Sequence, residues 1–358
     1  MRLLYAPDSF TGFCSAREAA DVAVARWRGL GLRARACPMA DGGVGTLDVL
    51  RAATGGAVSV VEGVGPRLQP IRARVLQRPE GAFVESAEWL GLHLCGDAPP
   101  PSRTSVGLGR WLAAQRGPVT VGLGGSGTMD GGLGLAQGLG LRALDANGAP
   151  LPPGAPLGAV AAVVGEPPPL QVRAWADVSV GLAEAAPRFG PQKGATPAQI
   201  VQNAADLQRW AAVVNRWRTG RGRPPVDPAG FGCGAAGGLG FGLRALADAP
   251  LSPGAEATAD AVGLAEALSD ADVVITGEGR VDPASFAGKV VGCVTARARA
   301  AGAARVLVLV GARTGALPPP PTGPDAVVTC DDQPGADRAA RYVAAVDAVA
   351  ALVRSGRR

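Results

Sequence analysis

The sequence predicts an α/β fold in which a discontinuous parallel-sheet domain carries an inserted second α/β domain. The two ends of the chain alternate short apolar runs with amphipathic helical patterns, as parallel sheets do. The middle instead has consecutive short strands, and the length of 358 residues suits two domains. We place the first domain at residues 1–56 plus 257–358 and the second at 57–256. The cleft between them is the expected ligand site.

The N-terminal segment predicts two strand–helix pairs. A strand over residues 1–10 ends in Asp-Ser, and SAREAADVAVARWRGLG follows with apolar residues at helical spacing. Ser15, with Glu18 three positions later, is a capping-box signature for this helix. A second strand, LRARACPMA, ends in Asp-Gly-Gly at 41–43, and the helical pattern GTLDVLRAAT comes next.

The middle of the chain predicts an antiparallel or mixed sheet. Its strands are AVSVVEGVG, IRARVLQ and GAFVESAEW, followed by the helix TSVGLGRWLAAQ and the strand VTVGL. Residues 146–170 are rich in Pro, Ala and Gly and are expected to be irregular. The strand VRAWADVS ends in Asp177, and a long helix begins at Thr196 and Pro197.

The C-terminal segment returns to the alternating pattern. It predicts the helix ATADAVGLAEAL, the buried strand DADVVI, a helix at 290–301, the strands RVLVLVG and DAVVTC, and a last helix at about 335–353. The stretch TGEGRVD, residues 276–282, directly follows DADVVI. It is therefore expected at the carboxyl end of that strand, where open α/β sheets bind ligands.

Composition and short motifs exclude several classes of function. The N-terminus does not resemble a signal peptide and no apolar stretch has membrane-spanning length, so we expect a cytoplasmic protein without a membrane partner. The six cysteines form no CxxC pair, which argues against a zinc site or a disulfide framework. The net charge of +5 is dispersed and aromatic residues are only 4%, so no nucleic-acid partner is expected. The single histidine, His93, is not accompanied by a GxSxG nucleophile motif, which argues against a Ser-His-Asp triad, and we expect it to be partly buried.

Five predicted strand ends or turns carry an acidic residue, mostly beside glycine: PDSF, MADGG, TMDGG, WADVS and TGEGRVD. Several carboxylates are useful in one site when Mg²⁺ assists phosphoryl transfer, because they hold the metal and accept the substrate proton. Only two of the 35 basic residues are lysines, Lys193 and Lys289. In a chain that otherwise uses arginine, these ammonium groups are expected to contact phosphate.

Two Gly-rich segments fit the dinucleotide-binding pattern G-x-G-x-x-G. They are GLGGSG at 122–127, with Asp145 beyond it, and GCGAAG at 232–237. With 53 glycines in 358 residues, about one such match is expected by chance. A nicotinamide-dependent oxidoreductase is therefore a weak alternative. No GxxxxGK[ST] loop is present.

Taken in order, the motifs resemble those of the bacterial glycerate kinase family. The matching stretches are APDSFTG (6–12), MADGGVGT (39–46), TSVGLG (104–109), GGSGTMDGG (124–132), ADV (176–178), FGPQKGAT (189–196), GAAGGLG (234–240) and TGEGRVD with a later Gly-Lys pair (276–289). The resemblance implies a Rossmann-like domain with a second α/β domain inserted. It also implies transfer of a phosphoryl group from ATP to D-glycerate with Mg²⁺. The sequence leaves the oligomeric state open, and we expect a monomer or a homodimer.

The resemblance assigns roles to particular residues of this chain. The expected catalytic residues are Asp8, Asp41, Asp282, Lys193 and Lys289, of which Asp41 and Asp282 are expected to hold the metal. The residues expected to bind substrate or nucleotide are Ser9, Gly42, Gly43, Thr104, Ser105, Gly124, Gly125, Ser126, Asp130, Asp177, Gln192, Gly237, Gly238, Glu278 and Arg280.

The chain departs from the family pattern at four places. Thr11 stands where the family has lysine, Val44 where it has glutamate and Met129 where it has asparagine, and the segment around Val180 is shortened. Each lost polar group would be worth about 1–3 kcal/mol if it contacts substrate.

Three explanations of these departures stay open. The substrate differs, or arginines such as Arg103 or Arg188 compensate, or the activity is weakened. The alternative function is therefore a non-catalytic or substrate-diverged member of the same fold that binds a nucleotide or a small hydroxy acid.

Overall fold

The computed structural model describes residues 1–355. The strands, in chain order, are β1 (Arg2–Pro7), β2 (Arg33–Ala36), β3 (Ala57–Val64), β4 (Pro70–Arg78), β5 (Gly81–Glu85), β6 (Val119–Leu123), β7 (Arg142–Leu144), β8 (Ala162–Val164), β9 (Val172–Ala176), β10 (Leu251–Pro253), β11 (Val273–Val281), β12 (Arg305–Arg313) and β13 (Ala326–Thr329). The helices are α1 (Ala16–Gly29), α2 (Thr46–Thr54), α3 (Ser86–Leu90), α4 (Val106–Ala113), α5 (Leu133–Gly138), α6 (Leu182–Phe189), α7 (Pro197–Thr219), α8 (Ala235–Ala247), α9 (Gly254–Ala261), α10 (Leu264–Leu268), α11 (Val290–Ala300) and α12 (Arg338–Ser355).

The chain divides into two compact units. The first consists of Met1–Asp41, Asp48–Thr54 and the residues from Gly254 onward. The second consists of Gly42–Leu47 and Gly55–Pro253. The short segment Gly42–Leu47 thus groups with the second unit, although it follows directly on the first strands of the chain.

The first unit contains a five-stranded parallel sheet in the order β13-β12-β11-β1-β2. Its central strands are apolar on both faces. In β1, Leu3 and Tyr5 pack in a core with α1 and α12, whereas Leu4 and Ala6 pack with α9, α10 and α11. Burial on both faces is why these strands read as continuous apolar runs, and the predicted parallel α/β sheet is confirmed.

Strand β11 is longer than the sequence suggested. The predicted strand ended at 275, but β11 runs to Val281 and therefore includes most of TGEGRVD. Its pairing with β1 stops at Gly277, while its pairing with β12 continues to the end of the strand. Glycine makes the close pairing possible, because a Cβ on Gly277 would lie 1.9 Å from the oxygen of Leu309. Glu278 consequently lies on a hydrogen-bonded strand and not on a free loop.

Two helices begin at the predicted capping residues, and one predicted helix is divided into two. Ser15 forms a capping box with Glu18 at the start of α1, and the Thr196 hydroxyl accepts from the N–H of Gln199 at the start of α7. The segment ATADAVGLAEAL, predicted as one helix, is divided into α9 and α10. The division lies at Gly263, whose φ of +71° cannot continue a helix.

The second unit contains a mixed six-stranded sheet in the order β10-β9-β6-β5-β4-β3. Strands β3, β4 and β5 are antiparallel, whereas β5, β6, β9 and β10 run parallel, so the predicted mixed sheet is confirmed. Two details of the prediction are wrong. The strand GAFVESAEW ends at Glu85 and continues as α3, and the segment 146–170 includes β8, which pairs with β7.

The parallel half of this sheet brings three strand ends together. Strand β5 ends at Glu85 and is followed by Ser86, β6 is followed by Gly124, and β9 is followed by Asp177. Because neighbouring parallel strands end at the same edge of a sheet, these residues share one edge of the second unit.

Candidate functional site

Three acidic side chains lie close together in the first unit. Asp8 follows β1, Asp41 lies beyond β2, and Glu278 is on β11. Burial raises the pKa of Asp8 well above its usual range, and the charges of Asp41 and Glu278 raise it further. The N–H of Ser9, 2.6 Å from Oδ1 of Asp8, and the ammonium of Lys289 act in the opposite direction. The group is therefore a concentration of negative charge that a cation would stabilise.

Glu278 has the most exceptional environment of the three. Burial raises the pKa of its carboxyl to about 7, with Asp41 and Asp282 adding to the shift and Ser285 and Lys289 opposing it. Its Oε1 atom is buried and has no hydrogen-bond partner within residues 1–355. A buried carboxylate oxygen without a donor is costly, so this atom is suited to meet a cation or a donor from a ligand.

Asp282 has a structural role in its turn. Its Oδ1 accepts a hydrogen bond of 3.1 Å from the N–H of Ser285, and its own N–H donates to the Ser285 hydroxyl at 3.1 Å. These bonds cap the 3-10 helix Pro283–Phe286. Arg280 is exposed near the end of β11, and Lys289 is the N-cap residue of α11.

These carboxylates fit a magnesium site in which the substrate supplies some of the metal ligands. Among residues 1–355, no group of three or more His, Cys, Asp or Glu side chains is arranged to hold a metal. Mg²⁺, however, is commonly held by one or two carboxylates together with water and substrate phosphate. The mutual repulsion of Asp8, Asp41 and Glu278 and the unpaired Oε1 atom are consistent with that partial type of site.

A cavity of about 310 Å³ lies within the second unit. Six of the residues predicted from the sequence line it: Gly124, Gly125, Ser126, Asp177, Gln192 and Lys193. The remaining lining residues are Leu92, Val178, Phe189 and Ala236. The volume is at the lower end of the range for ligand pockets, which suits a small organic acid.

Lys193 supplies the positive charge of this cavity. The side chain is only 4% exposed, and its Nζ donates to the hydroxyl of Ser126 at 3.2 Å and to the carbonyl of Thr128 at 2.8 Å. Burial lowers the pKa of the ammonium to about 8, whereas Asp177 and Asp130 oppose that decrease. Because an ammonium has three N–H groups, one is left for an anion in the cavity.

Arg103 holds the main chain around this lysine. It is buried, and its Nε donates to the carbonyl of Ala98 at 2.9 Å. Its NH1 group donates to the carbonyls of Gly127 and Lys193 at 3.1 and 2.8 Å. Arg103 therefore supports the cavity walls, while Arg188 is exposed and lies over the ring of Phe189.

Asp130 and Ser105 make their hydrogen bonds inside the protein. Oδ2 of Asp130 accepts from the N–H and hydroxyl of Ser105, both at 2.8 Å, and from the N–H of Gly134 at 3.1 Å. Its Oδ1 accepts from the N–H of Gly132 at 3.2 Å. The buried Thr104 hydroxyl accepts from the N–H of Val106. These residues join the starts of α4 and α5 and do not line the cavity.

Gly237 and Gly238 let the main chain pass behind Lys193. Gly237 has φ of +69°, and a Cβ there would lie 2.0 Å from the oxygen of Thr128 and 3.0 Å from Nζ of Lys193. Gly238 has φ of +87°, and a Cβ there would lie 2.8 Å from Leu182. Both positions require glycine for conformation and for space.

Glu85 is a candidate that the sequence reasoning missed. It is 2% exposed, and its Oε1 accepts from the N–H of Gly45 at 3.0 Å and of Leu47 at 2.8 Å. Burial raises the pKa of this carboxyl to about 7, and the two N–H groups oppose the shift. An acid at a strand end was the signal used elsewhere. It was overlooked here because the strand was predicted to continue past residue 85.

The positions at which the chain departs from the family pattern have different environments. Thr11 is exposed and Val44 is 62% exposed, so both present the replacement side chain to solvent. Met129 is buried, and its carbonyl accepts from the Asn203 side chain at 2.9 Å. His93 is exposed, so the expectation that it is partly buried is wrong.

A sequence profile described as the glycerate kinase family matches residues 3–347. The chain belongs to the glycerate kinase family. It is 36% identical to glycerate 2-kinase of Escherichia coli over 312 residues, which is 81% of this chain and 80% of that protein. It is also 36% identical to the Haemophilus influenzae glycerate kinase over 311 residues, 81% of this chain and 80% of the relative.

The fold agrees with this family. A crystal structure described as that of a glycerate kinase 2 from Salmonella typhimurium LT2 matches with a TM-score of 0.77 and 32% identity over 99% of each chain. The protein is therefore a kinase, and the resemblance found in the motifs is confirmed. The segment GLGGSG, which suggested a nicotinamide enzyme, lies in the sequence of a kinase family member. Within residues 1–355, no helix is both long and apolar enough to cross a membrane.

Proposed function

We propose that the protein transfers a phosphoryl group from ATP to glycerate in a reaction that requires Mg²⁺. The observation that carries this proposal is the buried ammonium of Lys193 in a cavity of about 310 Å³. A charged group that is costly to bury is best explained by a ligand of opposite charge. Membership of the family and the names of the relatives support glycerate as that ligand.

The cavity residues bind the substrate in this proposal. The third N–H of Lys193 and the hydroxyl of Ser126 contact the carboxylate of glycerate, and Gly124 and Gly125 allow the small acid to approach the main chain. Asp177 and Gln192, on other walls of the same cavity, accept from or donate to the hydroxyl groups. Asp130, Ser105 and Thr104 hold the surrounding backbone, since their hydrogen bonds are internal.

The acidic group of the first unit serves the nucleotide phosphates. Asp8, Asp41 and Glu278 are the residues that would hold Mg²⁺, with Asp282 contributing mainly through its charge. Bound Mg²⁺ supplies charge neutralisation on the phosphates. Lys289, at the N-terminus of α11, adds a cation where the helix also presents free N–H groups to an anion. Because the reaction consumes ATP, we place it in the cytoplasm.

The second candidate is the same transfer to a different small hydroxy acid. It is favoured by one observation: an exposed valine, Val44, stands where the family pattern has a carboxylate. A change from charge to a branched apolar group favours a less polar acceptor.

An assay of ADP release across small hydroxy acids tests both candidates. The purified chain is incubated with ATP, Mg²⁺ and each acid in turn, and the product is identified by phosphorus NMR. We expect turnover with D-glycerate and loss of turnover when Mg²⁺ is chelated. A folded protein that releases no ADP with D-glycerate but does so with another hydroxy acid would select the second candidate. Release with none of the acids would refute the kinase proposal.

A further inference from the structure

We infer that Glu85 positions the segment Gly42–Leu47 against the cavity wall and thereby sets the affinity for substrate. The inference rests on the proposed function, because the substrate used to detect it is glycerate. It concerns a residue outside the cavity, at the end of β5. Glu85 is therefore a positioning residue and does not touch the reacting atoms.

The carboxylate of Glu85 fastens a tight turn. Within the segment, the carbonyl of Gly43 accepts from the N–H of Thr46 at 3.3 Å and from its hydroxyl at 2.7 Å. Glu85 then holds this turn through the N–H groups of Gly45 and Leu47, on either side of Thr46. A single buried oxygen thus fixes the turn to the end of a sheet strand. This connection explains why the segment groups with the second unit.

The turn packs directly on the main chain of the cavity wall. A Cβ built on Gly124 would lie 2.6 Å from Cα of Gly43, and one on Gly125 would lie 2.6 Å from Cγ2 of Val44. Gly124 and Gly125 both line the cavity. Because no side chain of the two glycines lies between these layers, a shift of the turn moves the wall.

The residue next to Glu85 holds the wall itself. The hydroxyl of Ser86 accepts from the N–H of Gly124 at 3.3 Å and is 3.2 Å from its carbonyl oxygen. Consecutive residues at the end of β5 therefore bind the turn and the wall separately. The Ser86 bonds keep the wall attached to the sheet when Glu85 is replaced. Loss of Glu85 should consequently displace the turn without unfolding the cavity.

The substitutions E85A and E85Q separate a positioning role from simple stabilisation. Alanine removes the acceptor, whereas the amide oxygen of glutamine can still accept both N–H groups. Glu88 supplies the matched control, because it is three positions further on and its carboxylate accepts from the N–H and Nε of Arg74 at 3.1 and 2.8 Å. Glu88 makes these contacts with β4 and is not among the residues lining the cavity.

Three measurements are made on each variant: KM and kcat for glycerate, calorimetric binding of glycerate, and hydrogen exchange of residues 42–47. We expect E85A to raise KM and the dissociation constant about 10-fold and to speed exchange in the segment. We expect E85Q to stay within about threefold of the wild type and E88A to leave glycerate affinity unchanged. If E85A does not fold, E85D replaces it, because the shortened side chain cannot reach both N–H groups.

The results distinguish failure of this inference from failure of the proposed function. Equal glycerate affinity in E85A and the wild type, or equal defects in E85A and E85Q, would overturn the positioning role alone. A comparable loss of affinity in E88A would likewise overturn it. A wild-type chain that binds glycerate without turnover would refute the kinase proposal and leave the affinity comparison decisive. A wild-type chain that does not bind glycerate would overturn both.

Discussion

Replacement of Lys193 by methionine tests whether the ammonium group in the cavity binds the substrate. The substitution K193M keeps most of the length of the side chain and removes the ammonium. A contact between this charged group and the glycerate carboxylate is worth about 1.5–3 kcal/mol. Its loss should therefore raise KM about 10- to 150-fold, since 1.36 kcal/mol corresponds to a factor of ten.

The same substitution should have a small or favourable effect on folding stability. The pKa of Lys193 falls from 10.5 to about 8, and at 1.36 kcal/mol per pKa unit the charged form costs the folded state about 3 kcal/mol at neutral pH. Removal of the hydrogen bonds to Ser126 and Thr128 loses about 1 kcal/mol each. The net change should lie between zero and a gain of about 1 kcal/mol. Lost activity without lost stability is the signature of a functional group.

The charge of Lys193 should also make both the folding stability and the glycerate affinity depend on pH. A lowered pKa means that the cost of the charge is fully present below pH 8 and disappears as the pH rises towards the unfolded value. Wild-type stability should therefore increase between about pH 8 and 10, whereas glycerate affinity should decrease because the cation is lost. K193M should show neither change.

Steady-state ADP release and urea unfolding at several pH values measure both effects. The control is R188Q, which removes an exposed cation beside Phe189, a residue of the cavity wall. We expect R188Q to keep KM within about twofold, since exposed charges contribute little. An unchanged KM in K193M, or a loss of stability greater than about 3 kcal/mol, would refute the reasoning.

Three further predictions concern other parts of the site. G237A should lower the free energy of unfolding by at least 2 kcal/mol, which is roughly twice the effect of G194A. Both glycines have positive φ, but only Gly237 lacks space for a Cβ. Equal effects of the two substitutions in urea unfolding would contradict this prediction. E278Q should raise the Mg²⁺ concentration needed for half-maximal ADP release at least several-fold and more than D282N, since Asp282 caps a turn; the reverse order in a Mg²⁺ titration would count against the assignment. The pKa values of Glu85 and Glu278 are raised to about 7, so the folded state binds these protons more tightly than the unfolded chain does, and stability should fall from pH 5 to 8 by up to about 3 kcal/mol per group. In urea unfolding, the stability of E85Q should fall less steeply with pH than that of the wild type. An equally steep fall in both proteins would contradict the prediction.

The sequence was sufficient for the sheets because their signals are local. Strand β1 is apolar on both faces, which only a covered parallel sheet requires, and its neighbour β11 gives the same signal. The capping residues Ser15 and Thr196 likewise act within one turn of their helices. The true end of β11 was missed because its extension depends on pairing with β12, which is distant in sequence.

Side-chain roles could be predicted only in part, because an acidic residue at a strand end or turn gives the same sequence pattern for different uses. Asp177 and Asp130 both follow this pattern. Asp177 lines the cavity, whereas Asp130 accepts four hydrogen bonds from nearby backbone and Ser105. The difference depends on which segments fold against each carboxylate, and that information is not local. Glu85 was missed because its strand was predicted to continue past residue 85, and the groups that it binds lie about 40 residues earlier in the chain.

The scarcity of lysine acquires a physical explanation at Lys193. Its Nζ fits between the Thr128 carbonyl and the Ser126 hydroxyl, and the Cβ position of Gly237 is only 3.0 Å away. A guanidinium is planar and larger, and its five donors could not all find acceptors there. We therefore expect K193R to lose affinity for glycerate as K193M does and, in addition, to unfold more easily by about 1–3 kcal/mol because of overpacking. Wild-type KM in K193R would show that positive charge alone is sufficient, and that the compact shape of the ammonium is not what keeps lysine at this position.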